Sequence, residues 1–225
     1  MSRRAKSGDS LLLTCEHGGN RIPDAYAHLF TDAQDVLESH RGWDPGALEL
    51  ARHLSKELGR PLLGLTWSRL LVESNRTPTN PRIWSQYTKS LPKAERSQIL
   101  AKWWQPHRTK VEQAVEDGVA KYARLIHVAV HSFTPEMDGV VRNADIGLLY
   151  DSRRKREAEV SQRWSKLLRR LNPELRIRFN YPYSGAADGL TTALRKRYDE
   201  TRYVGIELEI NQAQVRLIRV KHGFD

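Results

Sequence analysis

The 225-residue sequence contains one cysteine, Cys15, which excludes an internal disulfide and a cysteine-based zinc framework. Any metal would therefore have to be held by His, Asp and Glu. Cys15 itself, close to His17, reads as a small buried hydrophobe in preference to a nucleophile. The sequence also lacks any run approaching the roughly 18 apolar residues of a spanning helix. Its opening MSRRAKSGDS has no apolar segment of a secretion signal, so a cytoplasmic protein without membrane attachment is expected. Pro/Gly/Ser-rich linkers, internal repeats and low-complexity tracts are missing, so a single domain over residues 1–225 is expected, with residues 1–9 flexible. Acid is in deficit. Twenty-seven Asp and Glu against 37 Lys and Arg leave a net charge of +10, which favours anionic partners, whether nucleic acid, an acidic membrane or a carboxylate substrate. The aromatic-rich strands of common RNA-binding sheets are absent as well, and so are zinc fingers.

Strand and helix patterns alternate along the chain. The apolar run Leu11–Cys15 predicts a buried strand, and Gly18-Gly19 with Asn-Arg-Ile-Pro behind it predicts a loop whose backbone approaches something closely. Asp44 suits a helix N-cap, Pro45 the first turn and Gly59 the stop, with Ala47, Ala51, Leu54 and Leu58 on one face. PLLGLTWSRLLVES predicts one or two strands, followed by a long polar loop from Asn75 to Pro92. A helical stretch from Lys93 to Ala123 carries Pro106, which predicts a kink or break. LIHVAVHS, ADIGLLYD, IRF and YVGIELEIN read as strands, with TTALRKRY a short helix before the last. Between them, Val160, Trp164, Leu167, Leu168 and Leu171 recur at helical spacing in a basic helix. This order predicts an α/β three-layer sandwich around a mixed, mainly parallel sheet.

Polar residues stand at or near the ends of such strands: His17, Asn75-Arg76 and His131 after them, and Glu207/Glu209 within the last, both on one face. The carboxyl ends of parallel strands gather on one edge of a sheet, so a shared site is the economical reading. Two histidines and a carboxylate could hold zinc with one position open for water, and a second carboxylate could take a proton from that water. Taken singly, each also has a structural reading: a hydrogen-bonded histidine, a turn cap, an exposed edge glutamate. His28, His40, His53, His107, His127 and His222 lack such placement and read as structural.

CEHGGNRIP, HRGWDPGA, SRLLVESNRTP, VHSF, ADIGLLYD, NYPYSGAADGLTTAL and GIELEINQ, in order from about Leu12 to Gln212, resemble the successive motifs of the N-formylglutamate amidohydrolase family. The resemblance implies a phosphorylase/hydrolase-like fold related to zinc carboxypeptidases, and zinc-dependent hydrolysis of a small anionic N-acyl amino acid such as N-formylglutamate. It matches His17 and His131 to the family's metal-binding histidines. The His-x-x-Glu pair of related carboxypeptidase sites is replaced here by His17-Gly18-Gly19-Asn20, so the acidic ligand comes from elsewhere: Asp44, with Glu16 as competitor. Asn75-Arg76 resembles a substrate-binding Asn-Arg pair, although Glu73 stands where the family often has Asp. Glu209 resembles a late general base, with Glu207 the alternative. Arg142 and Ser184-Gly185 would complete an acyl-substrate pocket. Rival expectations are a peptide or cell-wall amidase, and a catalytically idle fold binding nucleic acid through Arg153, Arg154, Lys155 and Arg156.

Overall fold

A computed structural model describes residues 6–215. The chain runs through strand β1 (Lys6–Cys15), helices α1 (Gln34–Glu38) and α2 (Ala47–Leu58), strand β2 (Leu62–Gly64), and helices α3 (Lys93–Ile99) and α4 (Gln105–Lys121). It continues through strand β3 (Tyr122–Phe133), the short strands β4 (Glu136–Met137) and β5 (Val140–Val141), strand β6 (Ile146–Leu149) and helix α5 (Lys155–Leu171). Strand β7 (Ile177–Phe179), helix α6 (Leu190–Arg195) and strand β8 (Tyr203–Asn211) follow. Six strands form one sheet in the order β2-β1-β3-β8-β6-β7, parallel throughout except where β6 meets β8, while β4 and β5 pair as a separate hairpin. The expected mixed, mainly parallel sheet between helices is thus present.

Alternation of side chains gives the sheet two different faces. Leu13, Cys15, Val128, Val130, Val204, Ile206 and Leu208 pack on Ala47, Leu48 and Ala51 of α2, and on Val160, Trp164 and Leu168 of α5. On the other face, Leu12, Leu125 and Tyr203 meet Val111 and Val115 of α4 and Leu190 and Leu194 of α6. This second face turns polar toward the carboxyl ends of β1, β3 and β8. His131 pairs in register with Glu209, and Ala129 with Glu207. Because β8 lies between β3 and β6, the edge-strand reading of its glutamates does not hold.

Several local expectations give way. Of residues 1–9, Lys6–Asp9 belong to β1 instead of a flexible tail, and residues 1–5 lie outside the described residues. Helix α2 is capped by Gly46 in the left-handed region (φ +80°), and Asp44 turns its carboxylate elsewhere. Only Leu62–Gly64 of the leucine-rich segment is strand. Leu70, Leu71 and Val72 are buried in irregular chain against Phe30, Tyr26 and Trp104, since a short apolar run reads alike in either setting. Pro106 sits in the first turn of α4, where its missing N–H costs nothing, and a π-helical turn at Leu100–Trp104 joins α3 to α4. In α5, Leu167 and Leu171 are exposed while Glu157, Ser161 and Ser165 face inward.

Candidate active site

β1 delivers His17 and β3 delivers His131, and their rings lie 5.0 Å apart between centroids. The loop before α2 carries Asp44 to them. It is tied down by Asp44 N–H donating to the His17 carbonyl (2.9 Å) and by Ser132 Oγ donating to the Pro45 carbonyl (2.8 Å). Asp44 Oδ2 lies 2.9 Å from His131 Nδ1 and 3.3 Å from His17 Nδ1. All three residues are buried, and their ligand atoms fall within 4.8 Å of one another, so His17, Asp44 and His131 could hold a metal ion. Glycines 18 and 19 make the close approach expected of them, to the chain after β2: a Cβ would stand 2.8 Å from the Leu65 carbonyl oxygen at Gly18 and 2.6 Å from that of Thr66 at Gly19.

The far side of each imidazole faces a buried carboxylate. His17 Nε2 is in close contact with Glu73 Oε1, and His131 Nε2 lies 3.3 Å from Glu16 Oε2. Glu73 also accepts from Arg69 Nε (2.7 Å) and from the Asn75 backbone N–H (3.1 Å), and Arg69 Nη1 donates to Asp44 Oδ1 (3.3 Å). Burial alone would raise the carboxyl pKa values of Asp44 and Glu73. The charges of His17 and Arg69 outweigh it, and both acids are held well below the usual carboxylate range. Burial likewise opposes the charged form of His131, but Asp44 and Glu16 on its two sides raise its pKa.

A cleft of about 430 Å³ opens onto this cluster, lined by Asn75, Arg76, Arg142, Ser184, Glu207 and Glu209 as well as by His17, Asp44 and His131. Glu209 Oε2 is buried without a hydrogen-bond partner. Burial pushes the Glu209 carboxyl up to about 7, with His131 opposing and Asp44 and Glu207 reinforcing the rise. Glu207 instead accepts a hydrogen bond from Thr191 Oγ1 (2.7 Å). Arg76 donates to the Asp188 carbonyl (2.7 Å), and its own carbonyl accepts from Trp104 Nε1 and Arg108 Nη2 of the π-turn and α4. Asn75 Oδ1 accepts from the Leu190 N–H (2.8 Å). Arg142 bonds Tyr183 Oη and stacks over that ring, 5.2 Å from its centroid. Gly185 lies outside the lining, packed so tightly on Tyr150 that a Cβ would stand 2.1 Å from its backbone nitrogen.

A family model described as N-formylglutamate amidohydrolase matches residues 9–216. The chain belongs to this family. A solved structure of a gene product from Agrobacterium tumefaciens is similar at 30% identity and a TM-score of 0.77, over 95% of this chain and 88% of that one. An N-formylglutamate amidohydrolase from Ralstonia eutropha shares the fold at 17% identity and a TM-score of 0.61, over 92% of this chain and 83% of its own. A comparison with curated proteins finds no significant match.

Within this N-formylglutamate amidohydrolase family member, the four strand-end groups named from sequence all line one cleft. Arg69 has no place in the sequence reading, which takes His107 as structural. Arg69 stands four residues before Glu73 in the SRLLVES motif, a spacing that meant nothing while the segment read as strand. His107 gave no sequence signal, because its Nε2 meets Glu16 (3.7 Å) only through packing of α4 on the sheet. At three of the four positions named for nucleic acid, around the start of α5, the charge has a partner within the chain. Arg153 pairs with Asp151, Arg156 with Glu159, and Arg154 donates to the carbonyls of Arg195, Tyr198 and Tyr203. Among the described residues no helix is long and apolar enough to cross a membrane.

Proposed function

We propose that the protein hydrolyses the amide bond of an N-formyl or other N-acyl amino acid with an anionic side chain, N-formylglutamate first among them, and that zinc is its cofactor. The observation that carries this reading is the convergence of His17 Nδ1, His131 Nδ1 and Asp44 Oδ2 beside a buried, unpartnered Glu209 carboxylate oxygen, in a member of this family. Two imidazole nitrogens and one carboxylate oxygen suit zinc, and the buried acids behind both rings are the outer partners that metal-binding histidines usually have. When bound, such an ion supplies Lewis-acid polarisation of a carbonyl oxygen and lowers the pKa of water.

Glu209 takes the proton of the attacking water as oxygen adds to the amide carbon, and returns it to the nitrogen as the C–N bond breaks. The products are a carboxylate, formate in the simplest case, and a free amino acid. A carboxyl with a pKa near neutrality is suited to moving a proton in both directions. Arg76, held by Asp188 on one side, turns the rest of its planar fork to a substrate carboxylate, and Arg142 adds charge at the mouth. Arg69 offsets the negative charge of Asp44 and Glu73, so that the pair stays ionised beside His17.

The test combines elemental analysis with turnover of N-formylglutamate. Wild type should carry near one zinc per chain and release glutamate. His17→Ala with His131→Ala should lose both properties. Glu209→Gln should keep the metal while turnover falls about 10²- to 10⁴-fold. Full turnover by Glu209→Gln would remove that residue from the role of base.

A further inference from the structure

Glu16, the acid behind His131, also meets His107 of α4 in an enclosed polar contact beside the site. The Glu16 side chain is 0% exposed, and neither of its carboxylate oxygens has a hydrogen-bond partner. Its neighbours are His131 Nε2 at 3.3 Å from Oε2 and His107 Nε2 at 3.7 Å from Oε1, and both of these nitrogens are likewise buried and without a hydrogen bond. A row of groups therefore runs from α4 through the end of β1 to β3, and on from His131 Nδ1 to Asp44. Glu73, which backs His17 in the same way, has other work: it bonds Arg69 and the Asn75 backbone and so shapes a loop. Glu16 has no such second task. A buried charge without partners is costly, and a carboxylate retained there needs a cationic or strongly polarised N–H to face.

We infer that Glu16, braced from behind by His107, is a positioning residue for His131, holding the imidazole with Nδ1 turned toward Asp44 and the cleft. The inference rests on the reading of His17, Asp44 and His131 as metal ligands. A carboxylate facing Nε2 opposes swinging and flipping of the ring and keeps its proton on Nε2, which leaves the Nδ1 lone pair for a metal. His107 keeps the carboxylate from rotating away into the space between α4 and the sheet.

The experiment uses metal-free full-length protein titrated with zinc against a chromophoric chelator, alongside thermal melts of the same samples and kcat and KM on N-formylglutamate. Glu16→Gln, which keeps the shape and removes the charge, should lose zinc affinity roughly 10- to 100-fold and lower kcat with KM little changed. His107→Gln should shift both in the same direction by less. Wild-type zinc affinity in both variants overturns the inference while leaving the hydrolase reading intact. Should Glu16→Gln fail to fold, His107→Gln decides alone, with unchanged affinity the overturning result. A wild type that takes up no zinc sinks the metal reading and this inference together, and the chelator titration separates that case from the others.

Discussion

Histidine identity carries little of a histidine's role in this chain. His127 and His131 lie four apart on one face of β3, and only one reaches the cleft. His127 sits deeper, between Thr14 Oγ1 and Tyr203 Oη, 2.8 Å from each. Burial pushes its pKa down from 6.5 to about 4, so the folded protein refuses a proton that the unfolded chain accepts. The stability this contributes is complete above the unfolded value and is lost as pH falls through about 4. At about 1.4 kcal/mol per unit the gap amounts to about 3 kcal/mol. Urea unfolding at pH 7 and pH 4 should therefore show a steeper loss for wild type than for His127→Gln, and parallel losses would contradict it. Sequence placed His17 and His131 at strand ends, where the periodicity breaks. It could not rank His107, whose partner Glu16 lies on another element.

At the scale of elements, the start of α2 decides where Asp44 points. Gly46 holds φ +80°, and a Cβ there would stand 2.1 Å from Val215 Cγ1. Gly46→Ala should therefore strain the turn, cost roughly 1–3 kcal/mol of stability and weaken zinc binding through displacement of Asp44. Gly59, at the other end of the same helix, has φ +57° but open space around it. Gly59→Ala should cost about 1–2 kcal/mol and leave zinc affinity unchanged. Denaturant melts and zinc titration of the two variants check both statements, and equal effects on zinc would show that the turn does not position Asp44. The Gly59 stop was legible because a left-handed residue after an amphipathic run is a local signal. The Gly46 cap was not, because Asp-Pro in the two preceding places imitates a capped first turn.

Across the whole molecule, Asp44, Glu73, Glu16 and Glu209 bring four carboxylates into one buried region faced by Arg69, His17 and His131. A divalent ion bound by the folded state alone should stabilise it strongly. Zinc at 100 times its Kd adds about 2.7 kcal/mol, which for a chain of this size is roughly 5–10 °C in Tm. Chelation should lower the melting temperature by that amount in wild type and not in the His17→Ala, His131→Ala variant; differential scanning fluorimetry with and without zinc reads the difference. The net charge of +10 acts at this scale too and favours anionic partners in general, and Arg41 and Arg142 line the cleft.

The sequence by itself determined the alternation of the main strands and helices, the shared face of Glu207 and Glu209 on β8, and the strand-end positions of His17 and His131. These follow from apolar periodicity and chain punctuation, which are local. Only the tertiary structure decided that Asp44 and not Glu16 meets both histidines at Nδ1, that Glu16 stands behind one ring and Glu73 behind the other, and that Arg69 bridges two acids. His17 and Asp44 are 27 residues apart, and His131 and Asp44 are 87 apart. Contacts over such separations are set by the register of β1 against β3 and by the packing of α2 and α4 on the sheet, which no local pattern encodes.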